Sequence, residues 1–286
     1  MSVPRAFLFV PADSDRKLAK GADSGADALI LDLEDSVGAE RKPVAREMAA
    51  AWLEARNAGA PQGWVRVNAL DTRLTMADLA GIVRARPDGI VLPKCNAPAD
   101  LRTLDAALSA LEAREGLADR SIRVMPIVTE TPAALFTLAG YAGSPRLAAM
   151  TWGGEDLAAG VAAKSNRLAD GAWDDLYRLA RSLTLAGAAS AEVPAIDTVY
   201  ADFRNEAGFA AECADARRMG YAGRMAIHPA QVPVILSTFT PTDQEKGWAE
   251  AVVAAFAANP GAGVVSLDGK MVDRPHLLQA RRILGG

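Results

Sequence analysis

The sequence predicts an α/β chain folded as a TIM (β/α)₈ barrel with a C-terminal helical lid extension, and three observations carry that prediction. Eight short apolar runs alternate with longer helical stretches, the pattern of βα units on a parallel sheet. The chain has 286 residues, half of them apolar, enough for a barrel of roughly 250 residues plus a tail. Neither GxGxxG nor GxxxxGK(S/T) follows the first run, which weighs against a dinucleotide-binding or P-loop fold.

The expected strands are Ala6–Val10, Ala28–Leu33, Trp64–Asn68, Gly89–Pro93, Ile122–Val128, Leu147–Trp152, Val193–Val199 and Arg224–Ile227. Asp15-Arg16-Lys17 opens the first helix, and Gly21 and Gly25 help to close it. Further helical stretches run over Ala39–Asn57, Ala99–Glu115, Trp173–Ala188 and Glu206–Met219. Glu130-Thr131-Pro132 sets an N-cap before a proline suited to a first helical position. After Ile227 the repeat stops: a helix over Gln244–Ala258, a Gly/Pro break, a short strand or turn and a final amphipathic helix follow. Residues 1–240 are therefore expected to form the barrel. Residues 241–286 form an extension too small for a core of its own, packed on the barrel or a neighbouring subunit.

Composition narrows the function classes. Lys+Arg number 31 against 35 Asp+Glu, a formal charge of −4 without a basic stripe, so no nucleic-acid partner is expected. The apolar run Ala6–Val10 is too short for a signal-peptide core or a membrane span. No membrane partner and a cytoplasmic location are the expectation. Cys95 and Cys213 follow no metal or redox spacing.

In a barrel, polar residues at the carboxyl ends of strands face the active-site mouth. Here those ends carry Pro11 and Asp13; Asp32, Glu34 and Asp35; Arg66 and Asn68; Lys94; Glu130; Gly153, Gly154, Glu155 and Asp156; Asp197; and His228. Glu130 and Asp156 follow successive strands, so their carboxylates approach each other and repel unless a proton or cation intervenes. A hard divalent ion, most simply Mg²⁺, suits such a pair; capping of the following helices is the structural alternative. Alternation in "WVRVN" points Arg66 into the barrel, where it needs an anion: the Asp32/Glu34/Asp35 cluster, a substrate carboxylate or enolate, or both. Lys94 serves an anion, a nearby acid, or the Schiff base of an aldolase. His228 is as readily a cap or packing residue as a ligand, and Cys95 reads as packing.

The ordered segments "RAFLFVPADSDRKLAKG", "DALILDLEDSV", "WVRVN", "VLPK", "VTETP", "TWGGEDLAAG", "PAIDTVYADFRN" and "GYAGRMAIHPAQV" span nearly the whole chain. Together they resemble the acyl-CoA lyases related to the citrate lyase β subunit, including malyl-CoA and citramalyl-CoA lyases, within the HpcH/HpaI aldolase/citrate lyase superfamily. That resemblance implies a TIM barrel with Mg²⁺, or Mn²⁺ in its place, on Glu130 and Asp156. It implies that Arg66 holds the carbonyl or enolate oxygen of the substrate. Coenzyme A and substrate contacts fall to Pro11, Arg16, Lys17, Lys94, Gly154, Glu155 and His228. Asp273, in "GKMVDRP", matches an acid on a C-terminal lid that closes over a neighbouring subunit's site, in trimers or hexamers. Asp32 would then orient Arg66, and Glu34 or Asp35 would hold metal waters. Ala12 and Gly21 depart from the glycine and alanine usual in relatives.

The activity implied is cleavage, or formation by Claisen-type condensation, of a β-hydroxyacyl-CoA such as malyl-CoA, citramalyl-CoA or citryl-CoA. Its other partners would be acetyl-CoA, or a related acyl-CoA, and a 2-keto acid. Three rivals share the scaffold: a malate-synthase-like enzyme with a thioesterase step, an aldolase acting on 2-keto-3-deoxy acids, and the β subunit of a citrate lyase complex.

Overall fold

The computed structural model describes residues 3–285 and divides at residue 239 into two compact units. The first carries eight parallel strands, each followed by helix. In chain order these are β1 (Ala6–Pro11), α1 (Asp15–Ala22), β2 (Ala28–Asp32), α2 (Lys42–Glu54), β3 (Gln62–Arg66), α3 (Thr75–Ile82), β4 (Gly89–Leu92), α4 (Pro98–Arg114) and β5 (Arg123–Pro126). They continue with β6 (Met150–Thr151), α5 (Glu155–Gly160), α6 (Asp175–Ser190), β7 (Ala195–Asp197), α7 (Glu206–Met219), β8 (Gly223–Ala226) and α8 (Val232–Phe239). Each expected strand overlaps an observed one. Five of them (β2 and β4 to β7) are shorter than expected, β1 extends to Pro11, and β3 and β8 keep the expected length but begin earlier in the chain.

The strands neighbour one another in the order β5-β4-β3-β2-β1-β8-β7-β6. Every second residue points inward: Phe7, Ala28, Ile30, Trp64, Val91, Met125, Ile196 and Met225 fill the interior, with Phe7 edge-on to Trp64 at 5.7 Å. Burying a side chain of this size is worth about 1.5–3 kcal/mol, so the register is held firmly. That register levels Pro11 with Asp32, and Asp32 with Arg66, at one rim. Gly21 has a structural reason: a Cβ there would stand 2.8 Å from Val10 Cγ2, so α1 seats directly on the sheet.

The ring closes differently between β5 and β6. There the described residues are joined by two isolated parallel bridges, Val124↔Leu147 and Ile127↔Thr151, instead of a continuous ladder. At the base of this seam Arg146 is buried and donates to Glu112 Oε1 (2.8 Å) and Oε2 (2.7 Å), to Asp105 (2.6 Å) and to the Ile122 carbonyl (3.1 Å). Above it Thr131 caps through its hydroxyl, accepting from Ala134 N at 3.3 Å. The turn it starts is 3-10 (Pro132–Phe136, then Leu138–Tyr141) and not α, because Gly140, Gly143 and Pro145 break the short segment before β6.

Asp197 corrects one expectation. It does not face the mouth but lies buried outside the barrel wall, accepting from Arg181 of α6 (3.0 Å) and from Trp152 Nε1 (2.7 Å), with Arg224 at 3.3 Å.

The second unit comprises α9 (Asp243–Ala258), a hairpin of β9 (Val264–Leu267) and β10 (Lys270–Asp273), and α10 (Arg274–Ile283). Against the expectation of no core, Ala249, Val252, Phe256, Val265, Val272 and Ala280 form a small buried cluster of their own. Among the described residues no helix is long and apolar enough to cross a membrane.

Candidate active site

Adjacent strand ends bring Asp32, Glu34, Arg66 and Lys94 together. Arg66 Nε and Nη2 each donate to one oxygen of Asp32 at 2.7 Å, the bidentate geometry that only a guanidinium gives. Asp32 also accepts from the backbone of Glu34 (3.0 Å) and Ser36 (3.2 Å). Burial alone would raise this carboxyl, but Arg66 and these amides outweigh it and hold it below the ordinary value. The Arg66 Nη1 nitrogen lies 2.9 Å from Glu34 Oε2 without hydrogen-bond alignment, and that buried oxygen has no hydrogen-bond donor among the described residues. The ring of Phe9 flanks the guanidinium at 4.9 Å.

Lys94 sits at a left-handed turn (φ 50°) just past β4, a conformation unfavourable for a side chain of this kind. The turn aims its backbone N–H at Glu130 Oε2 and its ammonium at Glu34 Oε1, with Asp35 and Asp156 each 3.4 Å away. Burial disfavours the charge on Lys94, but Glu34 and the other carboxylates more than offset this and hold the ammonium protonated.

Glu130 is buried at the end of the β5 segment, and Asp156 opens α5 beyond β6, half-buried. Gly153 makes room for Glu130: a Cβ there would stand 2.8 Å from Glu130 Cγ. Burial pushes the Glu130 carboxyl up to about 8, with Asp156 and Glu34 adding repulsion. Five carboxylates (Asp32, Glu34, Asp35, Glu130 and Asp156) crowd this rim. Among the described residues, Arg66 and Lys94 are the cations within ion-pair distance of them.

No group of three His, Cys, Asp or Glu that could hold a metal occurs among the described residues. A metal would take two protein carboxylates here and complete its shell from water or substrate, which is the habit of Mg²⁺. Five carboxylates against two cations leave excess negative charge, and this donor set fits a divalent cation.

The remaining predicted residues lie as follows. Pro11 ends β1 level with Asp32. Arg16 and Lys17 are exposed in the first turns of α1. Gly154 precedes α5, where a Cβ would meet Trp173 at 3.1 Å. Glu155 turns to Asn166, accepting from Nδ2 at 2.9 Å. His228 caps the turn after β8 through Nδ1 (3.2 Å from Ala230 N) and stacks on Phe203 at 4.6 Å. Asp273 belongs to the second unit, where it caps α10 and shares a proton-bearing contact of 2.5 Å with His276 Nδ1. That contact holds its carboxyl below the ordinary value. Cys95 packs against the Tyr141 hydroxyl (3.3 Å), and burial pushes its thiol up to about 12.

Two contributors escaped the sequence reading. Lys42 donates to the Leu33 and Glu34 carbonyls and to Asn68, fixing the loop that presents Glu34. Thr129 binds Gly153 across the seam. Lys42 lies outside the quoted segments, and Thr129 lies inside "VTETP" with no signal of its own; the role of each emerges only from contacts between residues far apart in the chain.

Comparison with known proteins shows the family and the fold. A family model described as HpcH/HpaI aldolase/citrate lyase matches residues 5–229. The chain is 34% identical over 284 residues to a (3S)-malyl-CoA thioesterase of Cereibacter sphaeroides strain KD131, covering 98% of this chain and 93% of that protein. It is 33% identical over 293 residues to the mitochondrial citramalyl-CoA lyase of Rattus norvegicus, covering 98% and 85%. The crystal structure of CitE from Mycobacterium tuberculosis in complex with magnesium, acetoacetate and coenzyme A superposes with a TM-score of 0.77. Sequence identity to it is 31%, over 98% of this chain and 97% of that one.

Proposed function

Because the chain belongs to the HpcH/HpaI aldolase/citrate lyase family, we propose that it is a Mg²⁺-dependent carbon–carbon lyase. It cleaves, or forms by Claisen-type condensation, a β-hydroxyacyl-CoA of the malyl-, citramalyl- or citryl-CoA class. The products are acetyl-CoA, or a related acyl-CoA, and a 2-keto acid. One observation carries this reading: the Glu130–Asp156 carboxylate pair stands beside an arginine locked by a buried aspartate.

Held by Glu130 and Asp156, Mg²⁺ would supply Lewis-acid stabilisation of charge on the hydroxyl and carboxylate of the acid half. Transfer of the hydroxyl proton to water lets the oxygen's electron pair form the keto carbonyl as the carbon–carbon bond breaks, releasing the keto acid and leaving the bond's electrons on the acyl-CoA as its enolate. Arg66 stabilises that enolate. Asp32 uses Nε and one Nη2 hydrogen, leaving the outer N–H groups for the thioester oxygen, already oriented before reaction. Lys94 balances the carboxylates and, held as an ammonium, is not a ready Schiff-base nucleophile. Asp273 is assigned the proton returned to the enolate, in a trimer or hexamer where a neighbour's C-terminal unit supplies it. Release from His276 would be needed first, because that contact keeps it ionised. Arg16, Lys17, Pro11 and His228 are assigned to coenzyme A, and the cytoplasm is the proposed location.

The relative named (3S)-malyl-CoA thioesterase favours a second reading, in which the thioester is hydrolysed. Incubating the purified chain with malyl-CoA or citramalyl-CoA and Mg²⁺ separates the two. Acetyl-CoA and keto acid in equal amounts are expected, with no borohydride-trapped adduct on Lys94. Free CoA with free hydroxy acid would overturn the lyase assignment in favour of the thioesterase. Turnover of these soluble esters by the single chain also excludes dependence on a citrate lyase complex.

A further inference from the structure

Glu130 and Asp156 stand on opposite sides of the β5/β6 seam, the place where the ring is joined by isolated bridges. Two carboxylates at a weakly joined edge push it apart whenever both are ionised. One side chain resists that push. Thr129, directly before Glu130, is fully buried. Its hydroxyl donates to the Gly153 carbonyl at 3.1 Å and accepts from the Gly153 N–H at 3.1 Å.

A buried hydroxyl costs free energy unless it is satisfied, and valine would fill the same space without that cost. Here both the donor and the acceptor of one hydroxyl are used on one residue across the seam. The residue it grips is also the one pressed against Glu130, where even a methyl group would collide. The far flank of the same turn is anchored elsewhere: Trp152 Nε1 donates to Asp197 at 2.7 Å, and Glu155 accepts from Asn166 at 2.9 Å. The segment from 152 to 156 is therefore fixed on its outer side, and Thr129 sets its distance from Glu130.

We infer that Thr129 is a positioning residue that fixes the separation of Glu130 and Asp156 and thereby the affinity of the pair for a divalent cation. This rests on the metal assignment made above. A cation and the hydroxyl clamp draw the same two edges together, so each strengthens the other by linkage.

Calorimetric titration with Mg²⁺, without substrate, tests the inference on the full chain. Thr129→Val removes the hydroxyl and keeps the shape; Mg²⁺ affinity is expected to fall by about 10- to 100-fold, the usual effect of losing a partner that orients a metal ligand. Thr129→Ser keeps the hydroxyl and is expected to bind close to wild type. A valine variant with a lowered Tm but unchanged Mg²⁺ affinity marks a merely structural residue and overturns the inference. If the valine variant does not fold, amide exchange in the wild type decides. Saturating Mg²⁺ is expected to slow exchange at Gly153, and unchanged exchange there overturns the clamp. Absence of Mg²⁺ binding by the wild type overturns the metal assignment itself, and so is distinguishable from failure of the clamp alone.

Discussion

Replacing Glu130 by glutamine is expected to lower kcat/KM by about 10³-fold or more, because both a cation ligand and the charge stabilisation it enables are lost. The shape is nearly unchanged, so the variant isolates the charge. A second consequence concerns stability. The Glu130 carboxyl is raised from an ordinary 4.5 to about 8, chiefly by burial. The metal-free folded state thus holds this proton more tightly than the unfolded chain does. Its contribution to stability is fully present below pH 4.5 and is lost as the pH rises through about 8. At 1.36 kcal/mol per pH unit, the loss across that window is bounded at roughly 5 kcal/mol. Thermal melts of metal-free wild type should therefore decline over this range more steeply than those of Glu130→Gln. Mg²⁺ should restore the wild type near pH 8 and leave the variant unmoved. Parallel pH profiles for the two proteins would remove Glu130 from the cation site.

Replacing Arg66 by lysine is expected to cost about 10²- to 10³-fold in kcat while Mg²⁺ affinity stays near wild type. The charge survives, but an ammonium cannot span both Asp32 oxygens and still present fixed donors to the mouth. Arg66→Ala is a harsher change. It leaves Asp32 buried without its cation, a loss of about 3–5 kcal/mol in stability. The contrast between the two separates catalysis from folding. An unchanged kcat in Arg66→Lys would reduce Arg66 to a counter-ion for Asp32.

Much of this architecture is legible in the sequence because a closed barrel writes it there. Ala28-Leu29-Ile30-Leu31 is apolar on both faces since both are covered, and Asp32 marks where the strand meets the mouth. Alternation in "WVRVN" places Arg66 inward, and the register levels it with Asp32. The seam is not legible. Arg146 and Thr129 look like an ordinary surface arginine and an ordinary threonine just past a strand until residues far apart in the chain are brought together. Asp197 has the same strand-end signature as Asp32, yet one step of the pleat turns it outward to Arg181. Of the glycine pair, sequence favours neither, whereas in the fold it is Gly153 whose missing side chain admits Glu130.

The most direct measurement is turnover of a malyl-CoA or citramalyl-CoA substrate by the purified chain before and after metal removal. Cleavage to an acyl-CoA and a 2-keto acid is expected to cease in excess EDTA and to return on adding Mg²⁺. Undiminished cleavage in EDTA would contradict a metal-dependent lyase centred on Glu130 and Asp156.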